Sequence, residues 1–342
     1  MYEKNGEKYF VVDGHTHFWD ASPQNWVPGQ EQYAKGWIEC FHAYQGLGPP
    51  ETHWSLEDFQ KYSEERMMKD VFEDGYVDVA IFQPTNLKQW YTEGFNTVER
   101  NALLKEKYPE KFVLNTTFDA RDGDEGLRKL ESDVARWGCK GVKLYTAEWR
   151  GESRGWNLKS PEAARYLEKC RELGIKNVHV HKGPTIWPLD KDAFDVADID
   201  YAATNFPDLN FIVEHVGLPR IEDFCFMAVQ EPNVYAGLAV VVGGLMHARP
   251  RFFNKVMGEL MFWLGEDKLI FGADYAIWEP KWQVEGFVDW NMPDTDEYSD
   301  YGPVSVEAKK KILGLNAAKL YDLDVPAELR LEGQPAAEPV AS

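Results

Sequence analysis

The sequence predicts an α/β protein built as a closed (β/α)8 TIM-like barrel with long loops after its strands. Short apolar segments of strand length alternate with helical stretches along most of the 342-residue chain. Eight such segments favour a closed barrel over an open sheet. Side chains able to hold a metal or move a proton recur at the carboxyl ends of those segments, where such a barrel gathers its reactive groups.

The first strand runs into Val11-Val12-Asp13-Gly14-His15-Thr16-His17. Side chains two apart on a strand share a face and sit about 6.5 Å apart along it, so His15 and His17 can lean onto one ion. An insertion rich in Gly, Pro and Trp follows over about 19–53, expected to be a functional loop because unstructured runs of that length are uncommon inside compact domains. A helix is expected over 55–73, with Ser55 as its cap. A buried strand, VDVAIFQ, is expected over 77–83.

Helix and strand then alternate. Helix 96–107 precedes strand 111–117 (KFVLNTT), and helix 124–137 precedes strand 141–145 (GVKLY). Ser160-Pro161 opens a helix to 173, with proline at its favoured first position, ahead of strand 177–181 (NVHVH). Helix 195–205 precedes strand 210–215 (NFIVEH), helix 221–230 precedes strand 234–240, and helix 250–264 precedes strand 268–272 (KLIFG). A last helix over 304–321 should pack on the barrel, and the tail 332–342 (EGQPAAEPVAS) is expected to be disordered. No composition shift or linker divides the chain, so 1–331 reads as one domain.

An apolar share of 44% with 13 Trp, 16 Tyr and 19 Phe is enough for a large core and an aromatic-lined cavity. Lys and Arg number 37 against 57 Asp and Glu, a net charge of −20 that disfavours nucleic acid and anionic membranes as partners. A small molecule is the expected partner. Cys40, Cys139, Cys170 and Cys225 are too scattered for a disulfide framework or a thiolate zinc site. The N-terminal stretch has no signal-peptide core, and no run approaches about 18 apolar residues, so a cytoplasmic protein is expected.

The strand ends carry His15 and His17, Lys143, His179 and His181, His215, and Asp274. Imidazole and carboxylate donors suit a divalent ion such as zinc with one position left open. His181 is preferred to His179 because it stands at the strand's end, and His179 is given a supporting place in the interior. Arg154, between Gly151 and Gly155, suits a carboxylate clamp or, equally, a solvated surface. Arg220, beside Pro219, is the stronger candidate. Trp19, Trp187 and Trp278 follow the strand-end motifs and are expected as pocket walls, with core packing the rival.

Five pieces then fall in one order: Asp13-Gly14-His15-Thr16-His17, Val180-His181-Lys182-Gly183, Glu214-His215-Val216-Gly217, Phe271-Gly272-Ala273-Asp274-Tyr275, and the terminal run from Ile312 to Tyr321. In these the chain resembles the amidohydrolase superfamily of metal-dependent hydrolases. The likeness is to its amidohydrolase-related branch, which includes aminocarboxymuconate-semialdehyde decarboxylase and the resorcylate decarboxylases. It is similar, more faintly, to the amidohydrolase-like proteins that accompany soluble di-iron alkane monooxygenases. The resemblance implies that His15, His17, His181 and Asp274 bind one divalent metal, zinc with manganese as the alternative, and that His215 is the catalytic histidine. It implies a homodimer as well. In binuclear members a carboxylated strand-four lysine bridges two metals. This branch resembles the mononuclear kind, so Lys143 is expected unmodified and, with Tyr145, facing the substrate.

The leading expectation is hydrolysis of a small amide, lactone or related carbonyl compound, with Asp274 as ligand and base and His215 holding the oxyanion. The alternative is non-oxidative decarboxylation of a small carboxylic acid by the same residues. A third reading makes the protein a non-catalytic, metal-binding accessory of an oxygenase system, with the aromatic insertion used for docking.

Overall fold

A computed structural model describes residues 1–331, so the tail expected to be disordered lies outside the described residues. Eight parallel strands form the centre: β1 (Val12–Thr16), β2 (Val79–Phe82), β3 (Phe112–Thr116), β4 (Gly141–Leu144), β5 (Asn177–His181), β6 (Asn210–Glu214), β7 (Val234–Gly237) and β8 (Leu269–Ile270). They are hydrogen bonded in chain order. Both faces of most strands are buried, which is why they read as near-continuous apolar runs rather than alternating ones.

The ring closes through β8 and the residues after it. Gly14 N donates to Phe271 O at 2.9 Å, Asp274 N to His15 O at 3.0 Å, and His17 N to Tyr275 O at 2.8 Å. The end of the last strand is therefore stitched to the two histidines of the first. At the opposite end of the barrel, Phe10, Val12, Ile81 and Ile270 pack against Leu315, Ala318 and Tyr321 of the C-terminal segment, forming a plug.

Several helices start where a hydroxyl side chain caps them. Thr97 Oγ1 accepts from Arg100 N ahead of Val98–Lys107, and Ser160 Oγ accepts from Ala163 N ahead of Pro161–Glu172. Among the described residues, no helix is long and apolar enough to cross a membrane.

Four features differ from expectation. A short antiparallel hairpin, Tyr2–Lys4 with Glu7–Tyr9, precedes the barrel. The insertion is not simply a loop: it holds the helix Glu31–Ala43, whose buried face is Ala34, Trp37, Ile38 and Phe41. The single helix expected over 55–73 is broken. Lys61 leaves the helical conformation to bridge Asp20, Ala21 N donates to Gln60 O, and Ser63 caps a fresh start at Glu64. Within the last helix a wider turn spans Lys311–Leu315, where Gly314 presses so closely on β1 that a Cβ would stand 2.0 Å from Phe10 O.

Candidate metal centre

Asp13 Oδ1 accepts from His15 N at 3.0 Å and from Ala273 N at 2.8 Å, so one buried carboxyl fixes the backbone beside His15 and beside Asp274. Burial lifts that carboxyl to about 7. His215 and Asp274 have φ of 67° and 59°, left-handed values uncommon for residues with a side chain. Such strain persists only where the surroundings over-determine it, as at sites of function.

The imidazoles can be assigned from their neighbours, because a carbonyl or carboxylate oxygen only accepts. His17 Nδ1 lies 2.9 Å from both Gln83 O and Asn96 Nδ2; Asn96 can give its hydrogen to the same carbonyl, so His17 carries its own on Nδ1 and leaves Nε2 open. His15 Nδ1 lies 2.8 Å from Glu214 Oε2, which likewise opens Nε2. His215 Nδ1 donates to Ala239 O at 3.0 Å, so its Nε2 accepts from His181 Nδ1 at 3.1 Å. That leaves His181 Nε2 as a bare, buried lone pair with no partner among the described residues. Burial lowers His181 well below the ordinary histidine range, lowers His215, and takes His15 to about 3.

Asp274 completes the group. Its Oδ1 is 3.3 Å from His17 Nε2 and 3.8 Å from His15 Nε2. Burial alone would raise this carboxyl, but the imidazoles of His15, His17 and His215 outweigh it and hold the group at about 2. Open lone pairs thus face a carboxylate, an arrangement satisfied by a cation between them. Ligands about 2.0–2.1 Å from a tetrahedral ion are roughly 3.4 Å apart, close to these spacings. On distance alone, the tightest trio is His15, His215 and Asp274, whose ligand atoms lie within 4.8 Å of one another. The hydrogen bonds favour His181 over His215, whose Nε2 is already engaged.

Trp37, Phe41, Phe95, Thr85, Tyr145 and Lys143 line the space above this group, and Trp278 with Tyr44 walls an adjoining lobe. The space measures about 20 Å³, close to the volume of one buried water. Tyr145 lies against His181 with ring centroids 4.4 Å apart and planes tilted by 37°, and its hydroxyl, like Lys143 Nζ, has no partner among the described residues. Burial lowers Lys143 to about 8 against the pull of Glu214 and Asp274.

A family model described as amidohydrolase matches residues 12–323. The chain belongs to the amidohydrolase family. Among solved structures, it is similar to an uncharacterised TIM-barrel protein from Bordetella bronchiseptica, with TM-score 0.65 and 18% identity over 92% of this chain and 98% of that one. It is also similar to 2,6-dihydroxybenzoate decarboxylase from Rhizobium, with TM-score 0.57 and 15% identity over 92% and 99%. A third is 5-carboxyvanillate decarboxylase from Novosphingobium aromaticivorans, solved with manganese and a nitrobenzoic acid, with TM-score 0.58 and 17% identity over 92% and 96%. At these identities they establish the barrel fold. No curated protein matches the chain.

The structure of this amidohydrolase brings His15, His17, His181, His215, Asp274, Lys143, Tyr145 and Trp278 to one pocket. Four other expected positions lie elsewhere. Arg220 is turned outward at the start of the helix Ile221–Ala228, paired with Asp195 at 2.8 Å and Asp223 at 3.5 Å. Arg154 is exposed and lies over the Trp149 ring at 3.7 Å. Trp19 is not a wall: it packs behind His17, stacked on Phe95, with Nε1 bonded to Phe59 O at 2.6 Å. Trp187 is half exposed and lies against Tyr33 and Gly36, where a Cβ would stand 2.0 Å from its ring. Sequence reasoning missed Asp13, Glu214, Trp37 and Phe41, although Asp13 and Glu214 stand inside the motifs it singled out.

Proposed function

We propose that this amidohydrolase is a metal-dependent, non-oxidative decarboxylase of a small aromatic monocarboxylic acid. The observation that carries the reading is a cage of open imidazole nitrogens and one carboxylate directly beneath an aromatic roof. His15, His17 and His181 through Nε2, with an Asp274 oxygen, would hold the ion, and this donor set accepts zinc or manganese. When bound, the ion supplies a Lewis acid for the substrate carboxylate and a neighbouring oxygen.

The chain's own residues do the rest. Trp37, Phe41, Phe95 and Trp278 wall the two lobes with flat apolar surface; each lobe, at about 20 Å³, has room for one water, so an aryl ring enters only as these walls part. Lys143 is the only lysine or arginine among the described residues lining the two lobes, which suits one carboxylate rather than two. As the bond to the carboxylate breaks, carbon dioxide leaves, the electron pair stays on the ring carbon, and a proton must arrive there. Asp274 is ionised at neutral pH, so the proton is taken up from solvent and relayed to the ring carbon by Asp274 or by His215, whose Nδ1 lies 4.0 Å from Asp274 Oδ2. The two decarboxylases among the similar structures act, by their names, on substituted benzoates, which supports the same assignment here.

The test is a panel of hydroxylated benzoates, amides and lactones, assayed with manganese or zinc in ¹⁸O-water. Carbon dioxide release without ¹⁸O in the organic product is expected. Incorporation of ¹⁸O without carbon dioxide would replace this reading with hydrolysis, the reaction for which the family is named.

A further inference from the structure

A run of buried polar groups passes down the inside of the barrel and ends on a metal-ligand candidate. It starts at Tyr321, in the C-terminal segment that plugs the far end of the barrel. The Tyr321 hydroxyl is 2.9 Å from Asn115 Nδ2 and 2.7 Å from His179 Nε2. An amide nitrogen only donates, so the hydroxyl accepts from Asn115 Nδ2; its own hydrogen has two acceptors in reach, Asn115 Oδ1 at 3.1 Å and the nearer His179 Nε2. A neutral His179 then carries its hydrogen on Nδ1, which faces Glu214 Oε1 at 2.5 Å. The other carboxylate oxygen of Glu214, Oε2, lies 2.8 Å from His15 Nδ1, an ion-pair contact without hydrogen-bond alignment. An oxygen that only accepts favours the His15 hydrogen on Nδ1 and bares Nε2 towards Asp274.

Asn115 is held in turn. Its Nδ2 also reaches Gln83 Oε1 at 3.1 Å, and Gln83 Nε2 donates to Gly14 O at 2.7 Å, beside His15. Tyr321, His179 and Glu214 are all buried, so solvent does not compete for these bonds.

We propose that Glu214 and Tyr321 are positioning residues, joined through His179 in a chain of buried polar contacts that sets the tautomer of His15. The proposal rests on the metal-binding part of the reading above and not on the reaction. The partner of one imidazole nitrogen decides which lone pair the other presents, and loss of such partners typically lowers metal affinity about 10–100-fold.

Two full-length variants test it. Glu214→Gln leaves one acceptor where two N–H groups need one each, and Tyr321→Phe removes only the hydroxyl. Manganese and zinc affinity is measured by chelator competition, histidine tautomers by ¹⁵N NMR of the metal-free protein, and fold by thermal unfolding. Glu214→Gln is expected to weaken binding about 10–100-fold and Tyr321→Phe by less, about 3–10-fold, each moving part of the His15 hydrogen to Nε2. Folded variants with wild-type affinity and an unchanged His15 tautomer would overturn the proposal. Should Glu214→Gln fail to fold, Tyr321→Phe alone decides by the same two readouts. If the wild-type chain binds neither ion, the metal reading fails separately, and an unmoved His15 tautomer in Tyr321→Phe overturns the chain.

Discussion

Of two hollows compared on the carboxyl-end face of this barrel, the larger is the less suited to chemistry. The cleft formed after β2, β3 and β4 holds about 360 Å³, whereas the pocket over the histidines holds about 20 Å³. In the cleft most charges answer one another: Arg121 Nε meets Asp119 Oδ1 at 2.8 Å, Arg150 pairs with Asp122, and Lys129 pairs with Asp133. In the pocket, His181 Nε2, Lys143 Nζ and the Tyr145 hydroxyl are buried with no partner among the described residues. A buried polar atom without a partner costs free energy, so several around one point mark a place shaped for something else to occupy. The cleft also has buried atoms without a hydrogen-bond partner, Asp122 Oδ1 and Trp149 Nε1, so what sets the pocket apart is that more such atoms converge there on one point.

The sharpest way to break this contrast is to exchange a carboxylate for an amide in each hollow. Asp274→Asn should lower kcat about 10²–10⁴-fold, while Asp119→Asn in the cleft leaves turnover within about two-fold, both read by carbon dioxide release. Equal effects would dissolve the distinction. Next in size is metal linkage: stripping the protein with chelator and restoring manganese at about 100 times its Kd should recover roughly 2.7 kcal/mol of stability, measured by urea unfolding. No recovery would remove the cation from the account of the pocket.

The cleft has strained carboxyls of its own, Asp122 and Glu148, both raised by burial. Glu148 is lifted to about 7, by burial first and by Asp119 second. A carboxyl raised in the folded state binds more protons there than in the unfolded chain. Its contribution is therefore intact below the unfolded value of about 4.3 and is lost as pH climbs towards 7. Glu148→Gln should match the wild type at pH 4 and exceed it by about 1–2 kcal/mol at pH 8 in urea titrations. A difference that does not change with pH would refute the shift. The smallest effect is expected at Arg220: Arg220→Ala should change stability by less than about 0.5 kcal/mol and leave KM unchanged, since its ion pairs are exposed.

The sequence exposed the histidine cage because strand ends follow from alternating patterns, and the ends of a parallel barrel converge. It did not expose the directions of long side chains. Arg220 stands only five residues beyond His215, yet the start of a helix turns it to solvent. The role of Glu214 was hidden differently: its partners His15 and His179 come from other strands, and only closure of the ring brings them to it. The insertion helix was readable in principle, because Ala34, Trp37, Ile38 and Phe41 repeat at helical spacing. The glycines, prolines and tryptophans around it gave the stretch the look of a loop, and the pocket's roof went unrecognised.

The join between the first strand and the residues after the last has a bearing on biosynthesis. Asp274 is held by the backbone of His15, so its carboxylate reaches the imidazoles only after more than three quarters of the polypeptide has left the ribosome. A nascent chain presents the His15-Thr16-His17 pair long before that, without the anionic partner that would make it a strong chelator. The cage is therefore complete only once the ring has closed, and any metal binding that uses all of its donors would wait for that step.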